Sequence, residues 1–282
     1  MRRTLAPTVL ALFALACASR PEGRRYELRG QVISLRPERR EIVIRHEEIQ
    51  GFMPAMTMPF SVKAEALLQG RIPGDRVEGT LVVTDESAWL ERLAKVGFAP
   101  LPAEEVPAAE PGALGVGAVV PDAAFLDQDG KARRLADWRG RALALTFIFT
   151  RCPLPDFCPA VDRSFAKLQG LVKADETLRS KARLLTVSFD PEHDTPAVLR
   201  SHAARLGADP VVWLYVTGEV AEVDRFAGVF GLSVDRTAGS EGLTHNLRTA
   251  VIDAEGRLRR IWRGSDWAPV EVAAELRKAL AP

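Results

Sequence analysis

One stretch, Ala142–Phe149, constrains this chain more than any other: it is apolar throughout except at Thr146. Strands buried on both faces read this way, because helices cover a parallel sheet from two sides. From Pro121 onward such runs alternate with helical patterns. Val161–Val172, Thr195–Leu206, Val220–Phe230 and Val270–Leu280 read as helices, and Leu184–Phe189, Val211–Val216 and Thr249–Asp253 as further strands. The alternation predicts an α/β sheet.

The first hundred residues carry a different pattern. Tyr26–Leu35 and Glu41–Arg45 are β-rich runs separated by the turn cluster Arg36-Pro37-Glu38-Arg39, and Arg76–Thr84 follows the turn Ile72-Pro73-Gly74-Asp75. Ala88–Phe98 suits a closing strand by position and a helix by its Trp89, Leu93 and Val96. Four or five short strands at this spacing predict a small barrel. At 282 residues the chain exceeds the usual size of one core. Leu101–Gly117, rich in Pro, Ala, Glu and Gly, is the natural boundary. The expected architecture is two domains: an all-β, OB-like barrel over 26–99, a linker over 100–117, and an α/β domain over 118–282.

The N-terminus reads as targeting. Arg2 and Arg3 precede an apolar stretch, Leu5–Ala16, too short to span a bilayer. Ala14-Leu15-Ala16-Cys17 resembles a bacterial lipobox, which makes 1–17 an export signal and Cys17 a lipid-attachment site on the periplasmic side of a membrane. A plain signal peptide cleaved near Ala16 or Ala18 is the alternative. With Cys17 assigned to the anchor, Cys152 and Cys158 remain as a matched pair. The 38 basic and 37 acidic residues leave a net charge of +1, which gives no electrostatic footprint for nucleic acid.

Apart from the initiator, every methionine lies within six residues, at Met53, Met56 and Met58, between Gly51 and Phe60. Residues two apart on an extended segment share a face, so Met56 and Met58 point the same way and His46 can meet them from an adjoining strand. Thioethers with an imidazole make a soft site that favours Cu(I), and methionine survives where a thiol is lost to disulfide formation. Filling a gap in the core is the commoner use of methionine, but Pro54 and Pro59 leave little room for a regular packed element there. This segment, over roughly Gly30–Phe98, resembles the periplasmic CusF-type copper-binding domain. The resemblance implies a five-stranded barrel with His46, Met56 and Met58 as Cu(I) ligands. A tryptophan that caps copper in that family is replaced by Met53, which then serves as a fourth soft ligand or a lid.

Cys152 and Cys158 stand between a buried strand and a helix, where open α/β sheets place their chemistry. A helix N-terminus stabilises a thiolate, so at least one thiol is expected to be reactive. The pair can form a disulfide or chelate a metal. This half, about Gly117–Leu280, resembles the Sco/SenC family of thioredoxin-like proteins through Thr150-Arg151-Cys152-Pro153, Cys158-Pro159, the run Val187–Pro196, and His245 eight residues before Asp253. The resemblance implies Cys152, Cys158 and His245 as ligands to copper, as Cu(I) or Cu(II), and delivery to the copper centre of a cytochrome oxidase subunit or another cuproprotein, or reduction of that centre's cysteines. Five residues separate the cysteines here, against three in the usual family motif. Reductive thioredoxin relatives carry a proline near the place of Leu247, which favours copper over generic disulfide exchange. His193 and His202 read as loop and helix-surface residues, and Asp190 and Asp194 as caps for the helix beginning near Thr195.

The leading expectation is a metallochaperone with two soft-metal sites, tethered by a linker that raises the effective concentration of one for the other. The competing one is a membrane-anchored thiol-disulfide oxidoreductase in which Cys152 attacks and Cys158 resolves. A copper sensor or buffer is the third.

Overall fold

The computed structural model describes residues 23–101, 113–235, 244–265 and 267–281. The expected export signal and Cys17 lie outside the described residues, as does most of the expected linker. Among the described residues no helix is long and apolar enough to cross a membrane.

Residues 24–98 form five antiparallel strands, β1 (Arg24–Arg36), β2 (Glu41–His46), β3 (Met56–Ser61), β4 (Asp75–Val83) and β5 (Ala88–Phe98), in the order β3-β2-β1-β4-β5. Ala88–Phe98, open between helix and strand from its sequence, is a strand because β4 pairs with it along nearly its whole length. Arg40 takes the left-handed conformation (φ 55°) to close the tight turn after Pro37–Arg39. Gly30, opposite His46, is required by a close approach: a Cβ there would stand 2.5 Å from the Arg45 carbonyl oxygen. The closed barrel expected from strand spacing does not form. The edge strands β3 and β5 approach each other through the single bridge Val62–Leu90, supported by the Lys63 N–H to the Leu90 carbonyl at 3.0 Å. Strand β3 is only six residues long and carries Pro59, which has no N–H to give, so it offers β5 little ladder to close on.

The second unit is a seven-stranded sheet. Its strands are β6 (Ala124–Asp127), β7 (Ala132–Arg134), β8 (Ala142–Ile148), β9 (Ala182–Ser188), β10 (Trp213–Thr217), β13 (Arg248–Ile252) and β14 (Leu258–Arg263), in the order β14-β13-β8-β9-β10-β6-β7. Strands β8, β9 and β10 run parallel, and the outer ones antiparallel. All seven residues of β8 are buried, as its apolar run requires. Helices α1 (Cys158–Ala174) and α5 (Pro269–Lys278) pack on each other and on β8, α2 (Glu176–Lys181) leads into β9, and α3 (Pro196–Arg205) packs on β10. Helix α4 (Val220–Val229) sets Phe226 against Phe125 and Phe147. A short ribbon of β11 (Val234–Asp235) and β12 (Thr244–His245) completes the unit. Leu114 and Gly117 are already held to it, through the carbonyls of Val229 and Leu258.

Candidate metal centre

The sheet delivers the cysteines from two directions. Cys152 lies in the turn after β8, its N–H 3.4 Å from the Phe149 carbonyl, while Cys158 is the first residue of α1 and is buried. Both thiols are free. Strand pairing of Val234 with His245 brings β12 over them, and Cys158 Sγ stands 3.9 Å from His245 Nε2. The imidazole packs between Phe149 and Phe189, at ring-centroid distances of 5.5 and 4.5 Å. Its Nδ1 donates to the Asn246 carbonyl at 2.9 Å, which turns the Nε2 lone pair towards sulfur. Asn246, which the sequence reading passed over, fixes that turn: its side chain accepts from Ser233 N–H and donates to the Gly231 carbonyl.

The two thiols are unlike. The Cys158 thiol beside it pulls Cys152 down to about 5; burial works against this, and His245 adds to it. Cys158 is pushed well up, first by burial and then by the Cys152 charge. The reactive thiol is therefore the one in the turn, and desolvation outweighs the helix start at Cys158. Among the described residues no three His, Cys, Asp or Glu side chains stand close enough to enclose a metal on their own. The arrangement is a thiolate, a thiol and an imidazole nitrogen, with Cys158 and His245 in contact, which can bind a soft cation or cycle through a disulfide.

The acidic residues near Thr195 do another job than capping. Thr195 itself caps α3, accepting from Val198 N–H. Asp194 accepts from Thr150 N–H, the Thr150 hydroxyl and the Ser188 hydroxyl, and Asp190 takes both Nε and Nη2 of Arg151, at 2.9 and 2.8 Å. They hold the backbone that leads into Cys152. His202 is also more than a surface residue: its Nε2 donates to Asp162 at 2.7 Å, and Tyr215 donates to the other oxygen of that buried carboxylate at 2.8 Å. His193 is exposed in its loop, as its sequence position suggests.

In the first sheet, His46 pairs with Met56 and Ile44 with Met58 across β2 and β3. Met58 is buried and Met56 partly so, on the face opposite the exposed Thr57. His46 is buried, edge-on to Phe60, and burial lowers its pKa although the Glu47 carbonyl works the other way. Nδ1 contacts that carbonyl at 2.7 Å, and Nε2 has no hydrogen-bond partner. An unpartnered buried nitrogen costs roughly 1–3 kcal/mol unless something binds it. Met53 sits in the loop before β3, bridged to Ile49, and shares the apolar core with Met58. Met53 and Met58 thus fill core space, Met56 packs against the same cluster, and Met56 stands directly across the strand pair from the histidine whose Nε2 is unpartnered.

A cleft of about 780 Å³ runs between the two sheets, with Met58 and Phe60 on one wall and Leu154, Phe157 and His245 on the other.

Comparison with known proteins bears on both halves. The SCO1/SenC family model matches residues 115–281, and the model of the copper binding periplasmic protein CusF matches residues 25–95. A SCO1 protein homolog of Bacillus subtilis (strain 168) is 28% identical over 149 residues, which are 52% of this chain and 75% of that protein. The crystal structure of a SCO1/SenC family lipoprotein from Bacillus anthracis str. Ames superposes with a TM-score of 0.53 at 22% identity, over 58% of this chain and 96% of that one. BsSco, described as a member of the Sco family of cytochrome c oxidase assembly proteins with a disulfide switch, superposes with a TM-score of 0.50 at 26% identity, over 57% and 93%.

Proposed function

The chain belongs to the SCO1/SenC family, and from that premise we propose that it is a copper metallochaperone for the assembly of a cytochrome oxidase copper centre or another cuproprotein. The observation that carries this reading is the meeting of Cys158 and His245, 87 positions apart, at 3.9 Å, with the Cys152 thiolate beside them. Two sulfurs and an imidazole suit copper as Cu(I) or Cu(II). His46 Nε2, Met56 and Met58 form a second, thioether-based Cu(I) site, with Met53 as a fourth soft donor or a lid. The orphaned buried nitrogen supports it, and so does the match of residues 25–95 to a copper-binding periplasmic protein.

In this reading residues 26–99 act as one domain, with 118–282 as the other. Residues 1–17 direct export, and Cys17 anchors the chain by lipid on the periplasmic side of a membrane. Copper stoichiometry of the reduced full-length chain tests the sites. Two Cu(I) are expected, one after combined substitution of Cys152, Cys158 and His245, and one after Met56→Ala with Met58→Ala. A chain that binds no copper in any form refutes the proposal.

The inequality of the thiols supports a second reading, a thiol-disulfide oxidoreductase. The Cys152 thiolate attacks a substrate disulfide and releases one substrate thiolate; Cys158 then loses its proton, attacks Cys152 Sγ and frees the second. The chain is left as a disulfide, two electrons poorer, to be restored by an external dithiol. This reading predicts disulfide reductase turnover that Cys152→Ser abolishes, with no copper held by Cys152, Cys158 and His245.

A further inference from the structure

The segment between the two cysteines belongs to two cores at once. Leu154, 6% exposed, is buried in the apolar cluster of the first sheet together with Met58, Phe60 and Leu90. Cys152 and Phe157 pack against that cluster and against the core of the second sheet. Asp156 adds polar register: its Oδ2 accepts the N–H of Ala88, the first residue of β5, at 3.0 Å, and its carbonyl accepts the Ser265 hydroxyl at 3.2 Å. A loop serving only to connect two cysteines has no need of a leucine seated in another unit's core. The cleft beside it has Met58 on one wall and His245 on the other.

We propose that residues 153–157 are an intramolecular dock that seats the first sheet on the cysteine turn, so that Cu(I) passes through this cleft from the methionine site to the cysteine site without release to solvent. The inference rests on the copper-binding reading above. The transfer is a ligand exchange. The bonds from copper to His46 Nε2 and the thioethers break, bonds to both cysteine sulfurs and His245 Nε2 form, and the thiol proton of Cys158 passes to water. Copper stays Cu(I), and no electron moves. Charged thiolates are stronger donors than thioethers, which sets the direction. Tethering alone raises encounter frequency, whereas docking also fixes which faces meet.

The test uses the full-length chain with its cysteines oxidised and one equivalent of Cu(I) on the methionine site. A phosphine reductant is then added in the presence of bathocuproine disulfonate, and transfer is followed by thiolate-to-Cu(I) absorption in the ultraviolet. Expected is a rate that a tenfold excess of chelator leaves unchanged. In Leu154→Asp, and independently in the milder Asp156→Ala, it falls at least tenfold and copper appears in the chelate, while a larger radius of gyration by X-ray scattering reports undocking. Unchanged transfer and an unchanged radius in both variants overturn the dock, as does capture of wild-type copper by the chelator. Failure of either site to take up copper in the stoichiometry measurement defeats the copper reading instead, and the scattering comparison still decides whether 153–157 dock the first sheet.

Discussion

His46 and His245 present their imidazoles by the same device. In each, Nδ1 contacts the carbonyl of the next residue, Glu47 at 2.7 Å and Asn246 at 2.9 Å; Nε2 of His245 stands 3.9 Å from Cys158 Sγ, and Nε2 of His46 has no hydrogen-bond partner. A ring held this way has one tautomer and one free lone pair before any ligand arrives. Nitrogen-15 spectra of the reduced, metal-free chain at neutral pH are therefore expected to show both rings protonated at Nδ1. Addition of Cu(I) should shift both Nε2 resonances and leave the Nδ1 protons in place. A shift at Nδ1 instead would mean that copper binds elsewhere.

The thiol pair predicts a pH profile. With Cys152 pulled down to about 5 and Cys158 pushed up, iodoacetamide should modify Cys152 with a midpoint near pH 5 and a plateau through neutrality, and leave Cys158 almost untouched. Because Cys158 is the first cause of the Cys152 shift and His245 a lesser one, Cys158→Ala should raise that midpoint more than His245→Ala. The sign for stability follows. The depressed Cys152 contributes stability that is complete above the ordinary thiol range and lost as pH falls through about 5. The raised Cys158 contributes stability that is complete below the ordinary range and lost as pH rises beyond it.

Asp194 holds the entry to the cysteine turn from beneath. It is fully buried and satisfies Thr150 N–H and two hydroxyls, those of Thr150 and Ser188. Asp194→Ala strands these donors, and leaving buried donors unpaired costs roughly 1–3 kcal/mol each where water cannot reach them. A loss of about 3 kcal/mol in urea unfolding is expected, with an unchanged slope. Asp194→Asn keeps an acceptor and should lose less. Equal losses for the two would show that charge, rather than hydrogen-bond acceptance, matters there.

The fates of Asp194 and Leu154 show what the sequence could and could not disclose. Period and apolarity announced β8, β9, β10 and helices α1, α3, α4 and α5 to within a few residues, because burial on both faces or on one stripe leaves a local trace. Ala124–Asp127, Ala132–Arg134 and Glu176–Lys181 were not foreseen, being too short to display a period. Motif residues such as Cys152 and His245 were legible as residue types in a context, but their approach depends on the β11–β12 pairing, which carries no local signal. Asp194 precedes a helix, so local rules made it a cap; its partners, Thr150 and Ser188, come from two strand ends. Leu154 stands between two prolines with no local period to mark it, and is a core residue of a different sheet. Asp162 was within reach of sequence reasoning, since it lies one turn along the helix from Cys158.

That one-turn spacing gives the last prediction. Asp162 Oδ1 accepts from the Tyr215 hydroxyl at 2.8 Å, and Oδ2 accepts from His202 Nε2 at 2.7 Å. Arg205 donates to His202 Nδ1 at 3.2 Å, so a neutral ring carries its proton on Nε2, towards the carboxylate. Burial is the main reason that Cys158 is pushed up, and the Asp162 charge adds to it from the next turn of the helix. Asp162→Leu removes that charge and leaves the Tyr215 and His202 donors facing an apolar group. The expected result is a loss of about 3 kcal/mol in urea unfolding, together with a faster reaction of Cys158 with alkylating reagents at pH 9 in the folded chain. Asp162→Asn keeps an acceptor for Tyr215 while removing the charge, so it should recover part of the stability and still show the faster alkylation. If Asp162→Asn instead alkylates at the wild-type rate, the carboxylate acts on Cys158 through packing alone, and burial with the Cys152 charge accounts for the raised thiol.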